Sequence, residues 1–455
     1  MLDAAAPARA ASVLAPVLPE VLTSMHCPPL LKGAIFGAYP LTVAFASLAV
    51  PALTARVGRL PVLCGGIIAE GVFVIVFGFV TDVFRRSDAH ALAAFLVLRF
   101  LQGLGEAAQS TTLLAYASDA FGLRRVLGAA MGWQETAAGL GFVLGPAVGG
   151  ALAGAAGFPA PFILIGLAIL SLLLLLPSAL PAPPGSRQGH GDVASLAAAA
   201  VAPPTHTAPL PPWRSFLSFD FVNAGAGTVL MGTAFGTIVP TLAPHLAHML
   251  ALRTTARVGM AYVIPAAVYG AACPLVGEIA DRVGYRKIML YGFSALATAF
   301  VMMGPVPPLR AAFALHTPGS ARAWVWAVMA MALFGVGGAA AFVPTLPSME
   351  RSVAALGPAG TEAVAGLYWT LYFLGEGIGP FIGSAAVRSL GPGWGYGFVA
   401  AMLATFVAIS SHYGALAPPE EPHAPLDDAA GGCEMAEMGT KARGEGVSVE
   451  HDAAA

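Results

Sequence analysis

The chain has 455 residues, a formal net charge of −2 and only 10% charged residues, against about 25% in soluble domains. Hydrophobic residues make up 57% and the mean hydropathy is +0.76. This composition excludes a water-soluble globular protein, and the balanced charge excludes a nucleic-acid-binding protein. The four cysteines are widely spaced and fit neither a disulfide framework nor a zinc site, so no metal or other cofactor is predicted. A multi-pass integral membrane protein in a lipid bilayer is predicted.

Apolar segments long enough to cross a bilayer recur along the chain. The sequence predicts eleven of them, at 33–54, 60–81, 91–117, 126–153, 158–180, 216–243, 257–277, 286–308, 322–347, 359–388 and 394–415. A shorter apolar-biased segment precedes them at 10–22. A crossing helix needs about 20 residues, so this segment is interpreted as the end of a first helix whose beginning is absent. The predicted fold class is an all-α membrane protein.

Composition also divides the chain into domains. Residues 1–180 are predicted to form a six-helix bundle with an incomplete first helix, and residues 216–415 a second six-helix bundle. Between them, 181–215 is rich in Pro and Ala, as in a linker. The acidic segment 416–455 has no apolar run and is predicted to be a disordered tail. Lys and Arg are more frequent in the even-numbered loops, which predicts cytoplasmic termini, linker and tail.

Three short segments of the first half recur in the same order in the second half. ARVGRL around Gly58 matches DRVGYR around Gly284, FLQGLGEAA matches ALFGVGGAA, and LGPAVGG around Pro146 matches IGPFIGS around Pro380. Because the three matches occur in the same order and are separated from their counterparts by a nearly constant number of residues, they indicate a duplicated six-helix unit. Paired bundles of this kind place their substrate site near the middle of the bilayer, between the halves.

Three motifs in these segments resemble those of the major facilitator superfamily. They are GEIADRVGYRK (Gly277 to Lys287), RFLQGLGEAA (Arg99 to Ala108) and GFVLGPAVGG (Gly141 to Gly150), the last being similar to the fifth-helix motif of its proton-coupled antiporters. The resemblance covers residues 10–415. It implies the major facilitator fold of two six-helix bundles, alternating access, and a small-molecule substrate exchanged for protons.

Further segments are similar to the vesicular amine transporters, and most to their polyamine-type branch. They are APVLP, MMGPVPPL and VPTLPSM. This resemblance implies a cationic amine substrate and an endomembrane location in a vesicle or vacuole, with the plasma membrane as the alternative. Ala55 and Val239 stand where the group carries acids, and Ala339 and Trp369 stand where its monoamine branch does. The departures at Ala339 and Trp369 argue against a monoamine substrate.

Charged residues inside predicted spans are expensive to insert and therefore mark candidate sites. They are Glu70, Arg99, Glu106, Glu135, Asp220 and Glu376. Antiparallel neighbouring helices place Glu106 and Glu135 at nearly the same depth, where two adjacent carboxylates cannot both stay ionised. Both are therefore predicted to contact substrate or the coupled proton, the alternative being a structural pairing with Arg99. Arg99 itself is interpreted as a structural and gating charge, and Glu70 and Asp220 as structural.

The eleventh predicted span carries a second candidate site. Tyr368, Tyr372 and Glu376 follow one another at intervals of four, with Trp369 beside them, so that aromatic rings and a carboxylate share one helix face. Such rings attract organic ammonium groups by about 0.5–2 kcal/mol. This face is predicted to contact a cationic substrate, and ordinary helix packing is the alternative.

Two further groups are candidates for conformational switching. The first is a loop cluster expected to hold the inward-closed state, made of Asp281, Arg282, Gly284, Arg286 and Lys287. The second lies in the fifth-helix motif, where small residues allow close helix contact and a proline bends the helix: Gly145, Pro146 and Gly149.

The predicted function is proton-coupled antiport of an organic cation by a monomeric carrier. Two alternatives stay open, an uncoupled facilitator of a small organic solute and a non-transporting membrane receptor or scaffold. An enzyme is not expected, because the sequence has neither a phosphate-binding loop nor a nucleophile elbow, and catalytic residues are therefore not assigned.

Overall fold

A computed structural model describes residues 18, 21–22, 24–121, 127–179, 213–252 and 255–416. In these residues the chain is almost entirely helical and contains no β-strand. The helices are α1 (Pro29–Ser47), α2 (Val50–Val57), α3 (Arg59–Gly78), α4 (Val80–Val83), α5 (Asp88–Phe121), α6 (Leu127–Ala156), α7 (Pro159–Ala179), α8 (Phe219–Met249), α9 (Thr255–Val283), α10 (Tyr285–Met303), α11 (Pro307–Ala312), α12 (Ala321–Phe342), α13 (Thr345–Ser352) and α14 (Gly357–Leu416).

Each of the eleven predicted spans coincides with helix in the structure. The span predicted at 33–54 is bent by 55° between α1 and α2. The last two predicted spans are the two arms of α14, which breaks at Gly391, where φ is 78°. Within the described residues, seven helical stretches are long and apolar enough to cross a membrane, or eight if the bent pair is one span. This is the all-α membrane fold expected from the sequence.

The buried apolar side chains form two large clusters. One is built from α3, α5 and α7 together with Leu18 and Leu22. The other is built mainly from α8, α9, α10, α12 and α14. Helices α1 and α14 contact each other between these clusters, as do α6 and α9. Large apolar side chains such as Leu167 and Leu174 on α7 stay exposed, as expected of a surface that faces lipid.

The duplicated sequence segments adopt matching backbone conformations. Gly58 separates α2 from α3 with φ of 96°, and Gly284 separates α9 from α10 with φ of 108°. Both are positive values that favour glycine over any residue with a side chain. In both halves a glycine also allows close packing of two helices, α5 against α3 in the first and α12 against α10 in the second. Gly105 of α5 faces the backbone of Glu70, while Gly337 of α12 faces that of Leu296.

Several predictions fall on segments outside the described residues. They concern the short first helix at 10–22, apart from Leu18, Val21 and Leu22, the linker at 181–215, apart from its last three residues, and the tail at 416–455, apart from Leu416. The two bundle boundaries that depend on these segments therefore stay predictions.

Candidate functional site

A close crossing of α3 and α5 brings three polar side chains together. A Cβ atom on Gly66 would lie 2.7 Å from the backbone nitrogen of Gln109, and one on Gly105 would lie 2.7 Å from that of Glu70. The helices can approach this closely only because both residues are glycine. The side-chain amide of Gln109 donates to Glu70 and, at 2.9 Å, to Oε2 of Glu106. All three side chains are buried.

Arg99 lies next to this group on α5 and is 4% exposed. Its guanidinium lies 4.3 Å from the centre of the Tyr39 ring of α1. It also donates a 3.1 Å hydrogen bond to Gln102, whose amide in turn donates to the backbone oxygen of Phe73. These contacts hold a permanent positive charge at a fixed place, as expected of a structural and gating charge. Its role in gating stays a prediction.

Glu135 lies where α6 of the first half touches α9 of the second. The Tyr269 hydroxyl donates a 2.7 Å hydrogen bond to Oε2 of Glu135, and Thr136 donates one of the same length to the backbone oxygen of Gly270. Gly132 allows this contact, because a Cβ atom there would lie 2.8 Å from the carbonyl carbon of Cys273. The candidate carboxylate is therefore part of the junction between the halves.

Glu376 is held by a second glycine-mediated crossing, between α8 and α14. A Cβ atom on Gly232 would lie 2.8 Å from the Glu376 nitrogen, and one on Gly236 would lie 2.9 Å from Pro380. Glu376 itself is only half-buried. Its carboxylate is close enough to Arg99, in the other half, for their charges to attract.

The predicted aromatic face of α14 is one connected group of rings. Tyr368 stacks on Phe342 with centroids 5.6 Å apart, and Tyr372 lies 5.0 Å from the same ring. Trp369 lies edge-on to Tyr372 at 6.1 Å. Tyr368 is fully buried, whereas Trp369 and Tyr372 are half-buried. The Tyr372 ring is close enough to Glu135 and to Glu376 for the charges of both to act on it.

The loop cluster around Gly284 is distributed over more helices than the sequence suggests. Asp281 accepts a 2.6 Å hydrogen bond from the Tyr285 hydroxyl. Arg286 forms a salt bridge with Asp220 of α8 and donates a 3.2 Å hydrogen bond to the backbone oxygen of Gly414. Arg282 and Lys287 are exposed. Arg286 therefore joins three helices, and the structural role of Asp220 stays a prediction.

Comparison with known proteins agrees with this architecture. The profile of the Major Facilitator Superfamily matches residues 9–380. The chain belongs to the major facilitator superfamily. It is similar to the MFS-type transporter SLC18B1 of Mus musculus, with 25% identity over 398 residues that cover 84% of this chain and 78% of the relative. The Homo sapiens protein of the same name is 25% identical over 394 residues, with the same coverage.

A solved structure shows the same fold. The human organic anion transporter MFSD10 (TETRAN) superposes with a TM-score of 0.64 and 18% identity, over 90% of this chain and 97% of the other. Family and fold together make this chain a multi-pass membrane transporter of a small-molecule solute, and not an enzyme.

The fifth-helix motif of this major facilitator protein lies in α6. Gly145 and Pro146 lie within the helix, and Gly149 is buried there. Among the α6 residues whose surroundings are described, Gly132 and Gly139 approach α9 most closely, and both lie outside this motif. A Cβ atom on Gly139 would lie 3.2 Å from the Cα atom of Gly270. The gating role of the motif stays a prediction.

Sequence reasoning missed one partner of each candidate carboxylate. It placed Glu106 beside Glu135, whereas Glu106 shares Gln109 with Glu70, and Glu135 is bound by Tyr269. One signal was present. Gly66 precedes Glu70 by four residues and Gly105 precedes Gln109 by four, the spacing that puts a small residue and a polar one on the same helix face. Tyr269 carries no such signal, because its pairing depends on how the two halves meet.

Proposed function

We propose that this transporter is a proton-coupled antiporter of an organic cation, a polyamine or another amine. The observation that carries the proposal is the Tyr372 ring, which belongs to a group of aromatic rings and lies close enough to Glu135 and Glu376 for both charges to act on it. An ammonium group is attracted both to carboxylates and to the faces of such rings. No cation among the described residues forms a salt bridge with Glu135, so its charge is available to a cationic substrate.

Two separated carboxylates suit a substrate with more than one ammonium group. Glu135 belongs to the first half and Glu376 to the second, and the charges of both act on the Tyr372 ring. A diamine or polyamine could place one ammonium group against each carboxylate and an alkyl segment against the rings. A substrate with a single ammonium group would occupy only one of the two positions.

The coupling step follows from competition for one carboxylate. An ionised Glu135 attracts an ammonium group, whereas a protonated Glu135 does not, so proton and amine bind alternately. The bond from Tyr269 ties the protonation of Glu135 to the contact between α6 and α9, which must change when the halves move. In an acidified vesicle, protons arriving from the lumen would release the amine there. An endomembrane location and a monomeric carrier belong to this proposal.

The test uses purified protein reconstituted into vesicles that are acidic inside. Net uptake of labelled spermidine, driven by the proton gradient, is compared with exchange of labelled for unlabelled spermidine. Glu135→Gln is expected to abolish net uptake and to affect exchange less, because exchange requires no net proton movement. Asp82→Asn is the matched control, since Asp82 is exposed and lies near Arg85 away from the site.

Two outcomes would reject the proposal. Gradient-driven uptake by Glu135→Gln at the rate of the unsubstituted protein would remove Glu135 from the coupling step. Amine uptake by the unsubstituted protein that is the same with and without a pH gradient would instead favour the uncoupled facilitator.

A further inference from the structure

The first half contains a second pair of carboxyl groups that the function proposed above does not use. Glu70 of α3 and Glu106 of α5 both accept hydrogen bonds from the one side-chain amide nitrogen of Gln109. One oxygen of each carboxyl group lies within hydrogen-bonding distance of that nitrogen, so the two groups are close neighbours. Both residues are 0% exposed.

Two carboxyl groups that share one donor nitrogen in a fully buried site favour a single proton on the pair. An ionised carboxylate can only accept hydrogen bonds, so two of them side by side offer each other no attraction. Two adjacent negative charges in a buried, low-dielectric site would also repel each other strongly. With one shared proton, the pair carries a single negative charge, which the neighbouring Arg99 compensates.

We propose that Glu70 and Glu106 form a second proton-binding site of the carrier, holding one proton that is released when the cationic substrate binds. The proposal rests on the proposed antiport of an amine. Release of the proton makes the pair more negative by one charge, and the arriving ammonium group adds one positive charge, so the interior charge is unchanged. The step is an acid–base exchange in which an O–H bond breaks and the proton leaves to water.

An unpartnered tyrosine connects this pair to the junction between the halves. Tyr39 of α1 is 4% exposed, and its hydroxyl has no hydrogen-bond partner among the described residues. Oε1 of Glu70 likewise has no hydrogen-bond partner among the described residues. The charges acting on Tyr39 are those of Glu106, Glu70, Arg99 and Glu376. Tyr39 is thus close enough to the pair and to Glu376 of the second half for the charges of both to act on it.

The surroundings of the pair fit a proton better than an ammonium group. Glycine-mediated packing of α3 against α5 brings backbone atoms into contact around the pair and leaves its carboxyl groups fully buried. The charged and titratable side chains facing the pair are Tyr39 from α1, Arg99 from α5 and, beyond them, Glu376 from α14. Helix α7, which also packs on α3, contributes no titratable side chain.

The test measures the number of protons released per amine bound or transported. Reconstituted protein is given spermidine, and proton movement is followed with a pH-sensitive dye alongside labelled amine uptake. Glu70→Gln is expected to lower the ratio by the one proton that the pair holds, because Glu106 alone, bound by Gln109 and near Arg99, has no proton to give. The same substitution should remove a protonated-carboxyl band from the infrared difference spectrum. Asp82→Asn should change neither.

The outcomes separate this proposal from the proposed function. If the unsubstituted protein couples amine to protons but Glu70→Gln keeps the same ratio and the same infrared spectrum, the second proton site is wrong and the antiport stands. If the unsubstituted protein moves amine without protons, the antiport itself is wrong. Should Glu70→Gln fail to fold, Glu106→Gln decides, because an unchanged number of protons released per amine would overturn the proposal.

Discussion

The hydroxyl of Tyr269 donates a 2.7 Å hydrogen bond to Oε2 of Glu135 and thereby links α9 of the second half to α6 of the first. Both residues are at most 7% exposed. Near this bond the backbones of α6 and α9 are in contact, because Gly132 and Gly139 of α6 have no side chain to keep them apart. A change in the charge of Glu135 therefore acts directly on the contact between α6 and α9.

The first prediction removes this hydrogen bond. Tyr269→Phe keeps the ring, which packs edge-on against Phe235, but leaves the Glu135 carboxylate without its donor. A hydrogen bond to a charged group contributes about 1.5–3 kcal/mol, so α6 and α9 should separate more often. Cys273 is fully buried at this contact. Its labelling by a maleimide, with the other three cysteines replaced by serine, should become faster, and an unchanged rate would contradict the account.

The second prediction adds a single methyl group to the same contact. In Gly132→Ala the new Cβ would collide with the backbone of Cys273. The conformation in which α6 and α9 touch should therefore be destabilised, and amine uptake should fall. Gly65→Ala is the matched control, since nothing lies within 4 Å of its new Cβ, and alanine is favoured over glycine in a helix by about 0.5–1 kcal/mol. Equal effects of the two substitutions on uptake would show that the contact is not required.

The sequence predicted the helices of this fold because each membrane span depends only on the composition of one continuous segment. Each span is a long apolar run, and each predicted run coincides with helix. The aromatic face of α14 was predictable for the same reason, since Tyr368 and Tyr372 are four residues apart on one helix.

Partners from different helices were much harder to predict. Glu106 was expected beside Glu135 from depth alone, but depth does not give the direction in which a side chain points. Its direction is set by the crossing of α3 and α5 at Gly66 and Gly105, which turns Glu106 towards Glu70. In the same way Arg286 meets Asp220, far away in sequence, through the packing of α10 against α8.

The third prediction concerns the aromatic rings near the two carboxylates. Tyr372→Leu removes a half-buried ring on which the charges of both Glu135 and Glu376 act. A lost cation–π contact of about 0.5–2 kcal/mol corresponds to about a two- to thirty-fold increase in the KM for spermidine. Tyr413→Leu is the control, because Tyr413 is 55% exposed. Transport with an unchanged KM after Tyr372→Leu would place the amine elsewhere.

The fourth prediction contrasts two residues of one salt bridge. The Asp220 side chain is 44% exposed, so its ion pair contributes only about 0.2–1 kcal/mol. Asp220→Asn should therefore lower the Tm only slightly. Arg286→Ala should lower it more, because Arg286 also donates a hydrogen bond to the backbone of Gly414 and lies over the Phe219 ring. The reverse order of the two Tm values would contradict the structural role given to Arg286.

The exchange of amine for protons is tested most directly by measuring both at once. Vesicles that contain the protein and a pH-sensitive dye are prepared without a pH gradient, and labelled spermidine is added outside. Antiport predicts that the lumen becomes more alkaline as spermidine enters, that a proton ionophore abolishes the pH change, and that Glu135→Gln shows neither alkalinisation nor net uptake. Spermidine entry with no change in lumenal pH would contradict the account.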